Sequence, residues 1–381
     1  MNFELSEDQL LLQELVRDFA RKEIAPKIGH LDENHLFPKE IIQKLAGLGL
    51  MGMTIPAEYG GIKTDYLSLI LALEELSRVS PSVCLIISVH SSLFSTSILR
   101  FGSQQQKEKY LPRAARGEIL GAFSLTEPEA GSDATNLKAK AVKSGNEYIL
   151  NGTKAWVTSG SEADALILFA RTGSETGSPN LSAFIVEKNF PGFNVARIED
   201  KMGLHSSLTV EIALEDCRVP AGNILGEEGR GAYIALQALD GSRIGIAAQS
   251  VGLAQQALEL AVGYAKQREA FGKKIAEFQA IQFMIADIAT LVDAARLLTY
   301  RAANHYDCGL PYGKEAAMAK LFASEAANKV AYLALQIHGG YGYSKEYAIE
   351  RLYRDARVLS IYEGTSEIQR LVIARKLLKE S

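Results

Sequence analysis

The spacing of hydrophobic residues over the first 120 or so positions is typical of helices. Ser6 and Gln9 have the separation of a capping box, and the apolar residues after them share one helix face until Pro26, where we expect the helix to end. A second helix is predicted to open at Pro38. Three more are predicted over 65–77, over 82–99 and from Ser103 onward. Residues 82–99 are apolar nearly all round, so this helix is expected to be buried.

From about Gly121 to Leu225 the pattern changes to short strands. Aliphatic or aromatic segments separated by Gly, Asn, Pro and Ser turns lie at 148–150, 165–170, 181–186 and 209–214. Long helical patterns return over 231–268, 278–308, 314–338, 345–356 and 366–379. The sequence therefore predicts a mainly α protein with a β insert. Its expected parts are an N-terminal helical domain (1–120), a middle β domain (121–226) and a C-terminal helical bundle (227–381).

Charge and hydropathy exclude two classes of partner. The formal net charge of −4 gives no basic face for nucleic acid. The most apolar run, from Val83 to Ile87, is far shorter than the roughly 20 residues of a membrane span, so none is expected. The N-terminus, Met1 to Ser6, lacks a basic and apolar leader, and the expected location is the cytoplasm. A processed organelle protein, such as a mature mitochondrial matrix form, would look the same.

Neither the cysteines nor the histidines form a pattern with chemical meaning. Cys84, Cys217 and Cys308 are far apart and odd in number, which favours reduced thiols over a disulfide framework. No pair among the six histidines has metal-ligand spacing, so no metal site is expected. Residues 47–52 fit the dinucleotide pattern G-x-G-x-x-G, but they follow a predicted helix rather than a strand and are interpreted as a helix end.

A carboxylate near the end of the chain lies between an aromatic ring and a glycine, in the sequence Ile-Tyr-Glu-Gly-Thr-Ser at 361–366. If the last helix begins at Thr365 or Ser366, Glu363 lies on a turn that faces inward. Such a half-apolar setting raises the pKa of a carboxyl group, which suits a general base that takes a proton from carbon. The alternative is an ordinary helix start, because Ser366 and Gln369 have capping-box spacing.

Two segments of the predicted β region suit a flat aromatic ligand. Residues 123–133 contain hydroxyls, a proline-fixed bend and a glycine, and can present backbone amides to a polar edge such as a flavin pyrimidine ring. Asn151 and Gly152 are interpreted as a hairpin turn that enters a strand. Trp156 would then cover one face of a cofactor while Thr158 offers it a hydroxyl from the same strand face. The alternatives are an ordinary turn and a buried core tryptophan.

These segments, in this order, resemble the acyl-CoA dehydrogenase family, and the resemblance covers essentially the whole chain. The family's helical domain, β domain and C-terminal helical bundle agree with the partition predicted above. The resemblance implies FAD as the cofactor, bound between the β domain and the C-terminal bundle. It also implies an acyl-CoA thioester as the substrate.

The resemblance implies that two stretches of the middle domain hold the isoalloxazine ring. The residues that they contribute are Phe123, Leu125, Thr126, Ser132, Trp156, Val157 and Thr158. Ser132 would also meet the CoA moiety, and Thr158 would lie near the reactive nitrogen of the ring. Thr365 and Glu367, at the start of the last helix, are further expected FAD contacts.

A second set of expected FAD contacts lies in the C-terminal bundle. Arg268 resembles the family's pyrophosphate contact, because a planar guanidinium suits paired phosphate oxygens, and Phe271 belongs to the same segment. Positions that in the family reach FAD from a neighbouring subunit match Gln279, Gln336, Gly339 and Gly340. The resemblance therefore implies at least a dimer, and a homotetramer built as a dimer of dimers. The alternatives are a solvated arginine and a glycine pair that only ends a helix.

The expected substrate site lies on the central helix and on the turn around Glu363. Asp240 and Arg243, three residues apart on one helix face, match CoA-binding positions, with a local ion pair as the alternative. The resemblance adds Ser132, Tyr362 and Gly364 to the residues around the substrate.

The implied reaction is α,β-dehydrogenation of the thioester. Glu363 removes the α-proton while the β-hydrogen leaves as hydride to the flavin, and the product is a trans-2-enoyl-CoA. The thioester carbonyl would accept hydrogen bonds from the amide of Glu363 and from a flavin hydroxyl. Some relatives carry the base at the position of Ser242, and a serine cannot perform this role. The electrons would pass to an electron-transfer flavoprotein.

Residues 239–252 look most like the short-chain and short-branched members, so a short acyl chain is expected. A small alicyclic chain is also open, because an apolar pocket discriminates single methylenes by only about 1–3 kcal/mol. No arginine lies between Val79 and Leu99, the helix on which glutaryl-specific relatives carry one, which argues against a dicarboxyl-CoA. Two alternatives remain: a flavin oxidase or monooxygenase of the same fold that uses dioxygen, and a non-catalytic CoA-binding or interaction protein.

Overall fold

Helices, a mixed sheet and further helices follow one another along the chain. The computed structural model describes residues 4–62, 64–173 and 180–379. The expectation about a leader concerns Met1 and its neighbours, and residues 1–3 lie outside these ranges. Within them the predicted fold class, mainly α with a β insert, is confirmed.

The N-terminal part is helical, as predicted. Its α-helices are α1 (Glu7–Phe19), α2 (Ala25–Glu33), α3 (Lys39–Gly47), α4 (Tyr66–Val79), α5 (Pro81–Ser88), α6 (Thr96–Phe101) and α7 (Gln104–Ala115). The capping box of Ser6 with Gln9 forms, with both of its hydrogen bonds present. The G-x-G-x-x-G segment follows α3, and Gly49 has a φ of 80°, which confirms that this match is a helix end.

The prediction that Pro26 ends the first helix is wrong. A π-helical turn, Ala20–Ile24, follows α1, and Pro26 lies in the first turn of α2. Proline is tolerated there because the first N–H groups of a helix have no intrahelical acceptor. The π turn places Pro26 at such a start, so the chain remains helical through it.

Helices α5 and α6 form one continuous helical stretch, joined by a π-helical segment, Val89–Ser95. Within the described ranges, Pro81–Phe101 is the one helix long and apolar enough to cross a membrane. This stretch is longer than the apolar run found from the sequence, because its interspersed serines lower the mean hydropathy only a little. Since 94% of its most apolar window is buried inside the protein, it is a core helix here and confirms the prediction of burial.

The described residues of the middle part form an eight-stranded mixed sheet. Its strands are β1 (Gly121–Ser124), β2 (Lys140–Ser144), β3 (Glu147–Thr158), β4 (Ala165–Arg171), β5 (Leu181–Glu187), β6 (Phe193–Ile198), β7 (Thr209–Pro220) and β8 (Ile224–Leu225). The order is β6-β7-β3-β2-β4-β5-β8, and β1 pairs with β4 in parallel. One face of β4 and β5 packs against α6 and α7, which fixes the sheet to the N-terminal helices.

The predicted hairpin turn at Asn151 and Gly152 is wrong. Both residues lie inside β3, and the turn between β2 and β3 falls at Gly145, whose φ is 61°. The pairing of β3 with β7 shifts register between Leu150 and Gly152, as in a β-bulge. An Asn-Gly pair can therefore mark a bulge as well as a turn, because both accept residues with unusual backbone angles.

The C-terminal part has the five predicted helices. They are α8 (Gly231–Gln267), α9 (Gln279–Asp307), α10 (Gly313–His338), α11 (Ala348–Ala356) and α12 (Ser366–Lys379). Helix α8 is central: its residues 241–254 are buried throughout, and its apolar side chains join clusters shared with α4, α5, α9 and α10. This position brings α8 next to the turn that precedes α12.

Candidate active site

Glu363 lies on a turn (residues 362–365, the Glu363 turn) just before α12. Both Glu363 and Gly364 have left-handed backbone conformations, with φ of 53° and 89°. This conformation costs a residue with a side chain about 1–2 kcal/mol, so the surroundings must stabilise it. Glu363 is half-buried, and its Oε2 has no hydrogen-bond partner among the described residues. The carboxylate thus faces inward, as the sequence predicted.

Two side chains hold the backbone of the Glu363 turn. Gln369 Nε2 donates hydrogen bonds to the carbonyl oxygens of Glu363, at 3.1 Å, and Gly364, at 2.8 Å. Lys320 Nζ donates to the same Gly364 oxygen at 2.7 Å. Both side chains are completely buried, and together they stabilise the left-handed pair.

The alternative of a capping box at Ser366 is wrong. The side chain that caps α12 is that of Thr365, whose Oγ1 accepts a hydrogen bond from Ile368 N at 3.4 Å. The side chain of Gln369 reaches back to the Glu363 turn instead. Ser366 and Gln369 do have capping-box spacing, but tertiary contacts use the Gln369 side chain to hold the Glu363 turn.

The electrostatic surroundings of Glu363 favour a proton acceptor active near neutrality. Burial raises the pKa of Glu363 to about 7, while the charges of Arg243 and Lys320 and the hydroxyl of Ser242 lower it. Arg243 is buried, and its Nε has no hydrogen-bond partner within the described ranges. Two unpaired polar atoms, this Nε and Glu363 Oε2, thus belong to residues whose charges interact, as expected where a ligand completes the hydrogen bonding.

Asp240 and Arg243 form the ion pair that was considered as an alternative to CoA binding. The carboxylate of Asp240 accepts a hydrogen bond from Arg243 Nη1, three residues further along α8. Burial raises the pKa of Asp240, and Arg243 opposes this rise. The ion pair uses Nη1 of Arg243 and leaves its Nε without a hydrogen-bond partner among the described residues. Arg243 can therefore contact substrate while it is paired with Asp240.

Tyr362 is fixed through a chain of hydrogen bonds that the sequence did not reveal. Its hydroxyl donates to Gln249 Oε1 on α8, and Gln249 Nε2 donates to the carbonyl of Pro81 at 2.8 Å. Gln249 and Lys320 are polar residues on buried helix faces. A polar residue among apolar neighbours on one helix face is the sequence signal that could have identified Gln249 and Lys320, because a buried polar group needs a hydrogen-bond partner.

A buried ion pair positions the first predicted flavin segment. Lys154 Nζ donates to Glu127 Oε1 at 2.8 Å and to the carbonyl of Leu125 at 3.1 Å. The carboxylate of Glu127 also accepts the backbone N–H of Lys138 and of Ala139. Burial lowers the pKa of Lys154 to about 8, and Glu127 opposes this. Sequence analysis missed this pair, which ties the segment to β3.

The residues predicted in the first flavin segment lie at the surface or near it. Phe123, Leu125 and Thr126 are half-buried, and Ser132 is exposed. The carbonyl of Thr126 accepts a hydrogen bond from Ala155 N at 2.9 Å, which brings this segment next to the tryptophan strand.

Trp156 is not a core residue. It is 57% exposed, and its φ is 59°. The register of β3 against β7 shifts between Lys154 and Val157, so Trp156 lies at a bulge, and the shared strand face of Trp156 and Thr158 stays a prediction. Val157 is buried, whereas Thr158 is half-buried. A large exposed ring in a strained conformation favours a ligand surface.

Three residues of the second predicted set, Arg268, Gly339 and Gly340, lie together at a different region. An open cavity of about 620 Å³ is lined by Tyr264, Arg268, Ile275, Ile337, His338, Gly339, Gly340, Tyr341, Ser344 and Glu346. Arg268 is exposed, and its guanidinium carbon lies 5.4 Å from the centre of the Tyr341 ring. None of the predicted middle-domain residues belongs to the described lining.

The remaining predicted contacts are largely exposed. Phe271 is 96% exposed with a φ of 53°, and Gln279 and Gln336 are exposed on α9 and α10. Glu367 is exposed in the first turn of α12, and Thr365 is half-buried. In a single chain, the side chains of Phe271, Gln279 and Gln336 are therefore exposed to solvent.

Comparison with known proteins gives matches along almost the whole chain. The acyl-CoA dehydrogenase N-terminal, middle and C-terminal domain models match residues 6–118, 122–217 and 229–378. The short-chain specific acyl-CoA dehydrogenase of Rattus norvegicus mitochondria is 48% identical over 376 residues, covering 99% of this chain and 91% of that protein.

Two solved structures are similarly close. Butyryl-CoA dehydrogenase from Megasphaera elsdenii superposes with a TM-score of 0.97 and 44% identity, covering 99% of this chain and 100% of the other. A chain in a structure concerned with the electron transferring flavoprotein of Acidaminococcus fermentans gives a TM-score of 0.98 and 48% identity, with complete coverage of both chains. Members of the matched family are FAD-dependent oxidoreductases. The chain belongs to the acyl-CoA dehydrogenase family.

Proposed function

We propose that the protein oxidises a short-chain acyl-CoA to the trans-2-enoyl-CoA with Glu363 as the base. The observation that carries this proposal is the half-buried carboxylate on a left-handed turn, with an unpaired Oε2 and a pKa raised to about 7 by burial. The family membership supports flavin-dependent dehydrogenation, and the short-chain names of two relatives support the chain length. A branched or alicyclic short chain is part of the same proposal.

The residues present fit FAD. The exposed Trp156 ring, the strained backbone beside it and the half-buried Thr158 offer a stacking surface and a hydroxyl at one place. The exposed Arg268 guanidinium offers a fork for phosphate oxygens beside the open cavity at Gly339 and Gly340. FAD, when bound, supplies the acceptor for the two electrons and the β-hydrogen.

The chain's own groups would act on the thioester as follows. Glu363 accepts the α-proton at its Oε2, and its backbone N–H donates to the thioester oxygen, where negative charge develops. Lys320 and Gln369 bond the carbonyls of the Glu363 turn, which keeps that carboxylate in place. Apolar side chains packed with Tyr362, including Leu85, exclude water from this region.

The predicted CoA contacts extend from this centre. The proposed contacts are Arg243, whose Nε is unpaired within the described ranges, its ion-pair partner Asp240, Gly364 of the Glu363 turn and the exposed Ser132 of the middle domain. Arg243 would supply a hydrogen bond to a polar group of the CoA arm.

We further propose a homotetramer, a dimer of dimers, in the cytoplasm, with an electron-transfer flavoprotein as the acceptor. The exposure of Phe271, Gln279 and Gln336 supports a shared site, because FAD contacts on an open surface need a second chain to cover them. The similarity to a chain in the Acidaminococcus fermentans structure supports the acceptor. The electron-transfer flavoprotein is not needed for the reduction of FAD by the acyl-CoA.

The pH dependence of the reductive half-reaction should reflect the pKa of Glu363. The base must be ionised to accept a proton, so kcat/KM is expected to fall about tenfold per pH unit below pH 7 and to level above it. Measurement of kcat/KM for butyryl-CoA between pH 5 and 9 tests this. A flat profile down to pH 5 would show that Glu363 is not the titrating base.

The substrate and the acceptor are tested together by anaerobic titration of the FAD-loaded protein with straight, branched and cyclic acyl-CoAs. Short-chain substrates are expected to bleach the flavin, and long-chain ones to bleach it weakly. A protein that binds no FAD would be the non-catalytic alternative. Rapid oxygen consumption with butyryl-CoA would instead identify the oxidase alternative.

A further inference from the structure

Lys320 is an unusual residue for the middle of a packed helix. Its side chain is completely buried in α10, and within the described ranges its one hydrogen bond goes to the carbonyl of Gly364 at 2.7 Å. No carboxylate within residues 4–62, 64–173 and 180–379 lies within 4 Å of its Nζ. A buried ammonium without an adjacent carboxylate is costly, so helix packing alone gives no reason for this residue.

The electrostatic neighbour of Lys320 is Glu363. Of the carboxylates that raise the pKa of Lys320, Glu363 acts most strongly, ahead of Glu367 and Glu325. Arg243 also acts on Glu363, but Arg243 already pairs with Asp240. Lys320 is therefore the cation near Glu363 that has no ion-pair partner of its own.

We propose that Lys320 is a positioning residue for the base: its ammonium fixes the Gly364 carbonyl and its charge favours the ionised form of Glu363. This inference rests on the proposed function of Glu363. The two effects have one origin, because Nζ donates a hydrogen bond to the turn while its charge acts on the carboxylate that the turn carries.

Lys320 carries its positive charge in the pH range in which Glu363 ionises. Burial lowers the pKa of Lys320 to about 8, and Glu363 opposes this, so Lys320 is protonated where Glu363, with a pKa of about 7, ionises. The other charged or titratable groups that act on either residue are Arg243 with its partner Asp240, Tyr362, Glu325 and Glu367. Of the two cations that act on Glu363, Arg243 and Lys320, only Lys320 donates a hydrogen bond to the turn in the described part of the chain.

Gln369 provides a matched comparison for the test, because it donates to the same Gly364 oxygen without a charge. Lys320→Met and Gln369→Leu each remove one donor to that carbonyl, but only the first removes a cation. Flavin reduction by butyryl-CoA is measured against pH for the FAD-loaded wild type and both variants. Lys329→Met, at an exposed position of α10, is the control for a lost lysine.

Lys320→Met is expected to move the acid limb of the profile to higher pH and to slow flavin reduction at pH 6 on the order of tenfold, since Glu363 loses a stabilising charge. Gln369→Leu should slow reduction at all pH values without moving the limb. Lys320→Arg should restore the position of the limb. The Lys329→Met profile should match that of the wild type.

An acid limb at the wild-type position in Lys320→Met would overturn the inference, while bleaching in the wild type would leave the proposed function standing. If Lys320→Met does not retain FAD, Lys320→Gln provides the same measurement with a neutral side chain that can still donate a hydrogen bond. An unmoved limb in that variant would also refute the role of the charge. Absence of bleaching in the wild type would instead refute the proposed function itself.

Discussion

Glu363→Gln is expected to retain FAD and to lose flavin reduction by butyryl-CoA by at least about 10³-fold. The amide has nearly the shape of the carboxylate but cannot accept the α-proton. The hydrogen bonds of Gln369 and Lys320 go to main-chain oxygens, so they remain in the variant and hold the turn. Stopped-flow absorbance of the flavin under anaerobic conditions measures the effect.

A matched control for this variant is Glu40→Gln. Glu40 lies on α3 with a side chain that is 80% exposed, and it should behave as the wild type does. Equal rates of bleaching in Glu363→Gln and in the wild type would exclude Glu363 as the base.

Lys154→Met is expected to lower the free energy of unfolding by about 3–5 kcal/mol and to weaken FAD retention. The substitution removes the cation that bonds Glu127 and Leu125, and it leaves the carboxylate of Glu127 buried without its ion-pair partner. The segment that carries the predicted flavin contacts then keeps the backbone hydrogen bond from Ala155 N to the Thr126 carbonyl but loses its side-chain attachment to β3. Chemical denaturation and FAD content after gel filtration measure the two effects.

The double variant Lys154→Met/Glu127→Gln separates charge from packing. It removes both charges, so it should recover part of the stability that the single variant loses. A single variant as stable as the wild type, with its full content of FAD, would show that the ion pair does not position the segment.

The sequence predicted what depends on local periodicity. The fold class and the five C-terminal helices followed from apolar spacing, and the inward-facing Glu363 followed from its place before α12. Pro26 was misjudged because a π turn, which no local pattern marks, moves it to the start of a helix. The turn predicted at Asn151 and Gly152 was wrong for a similar reason, because both residues lie at a bulge inside β3.

The contacts that hold the site could not be read from the sequence. Lys320 and Gln249 meet the Glu363 turn from helices that are distant along the chain. Lys154 meets Glu127 across 27 positions. Such pairs are determined by how the helices and strands pack, so they emerge only when the elements are placed together.

The most direct test of the account is the anaerobic reduction of the FAD-loaded wild type by butyryl-CoA and by butyryl-CoA deuterated at the α-carbon. Removal of the α-proton by Glu363 predicts that both substrates bleach the flavin and that the deuterated one does so distinctly more slowly. Bleaching at the same rate with both substrates, together with undiminished bleaching in Glu363→Gln, would contradict the account.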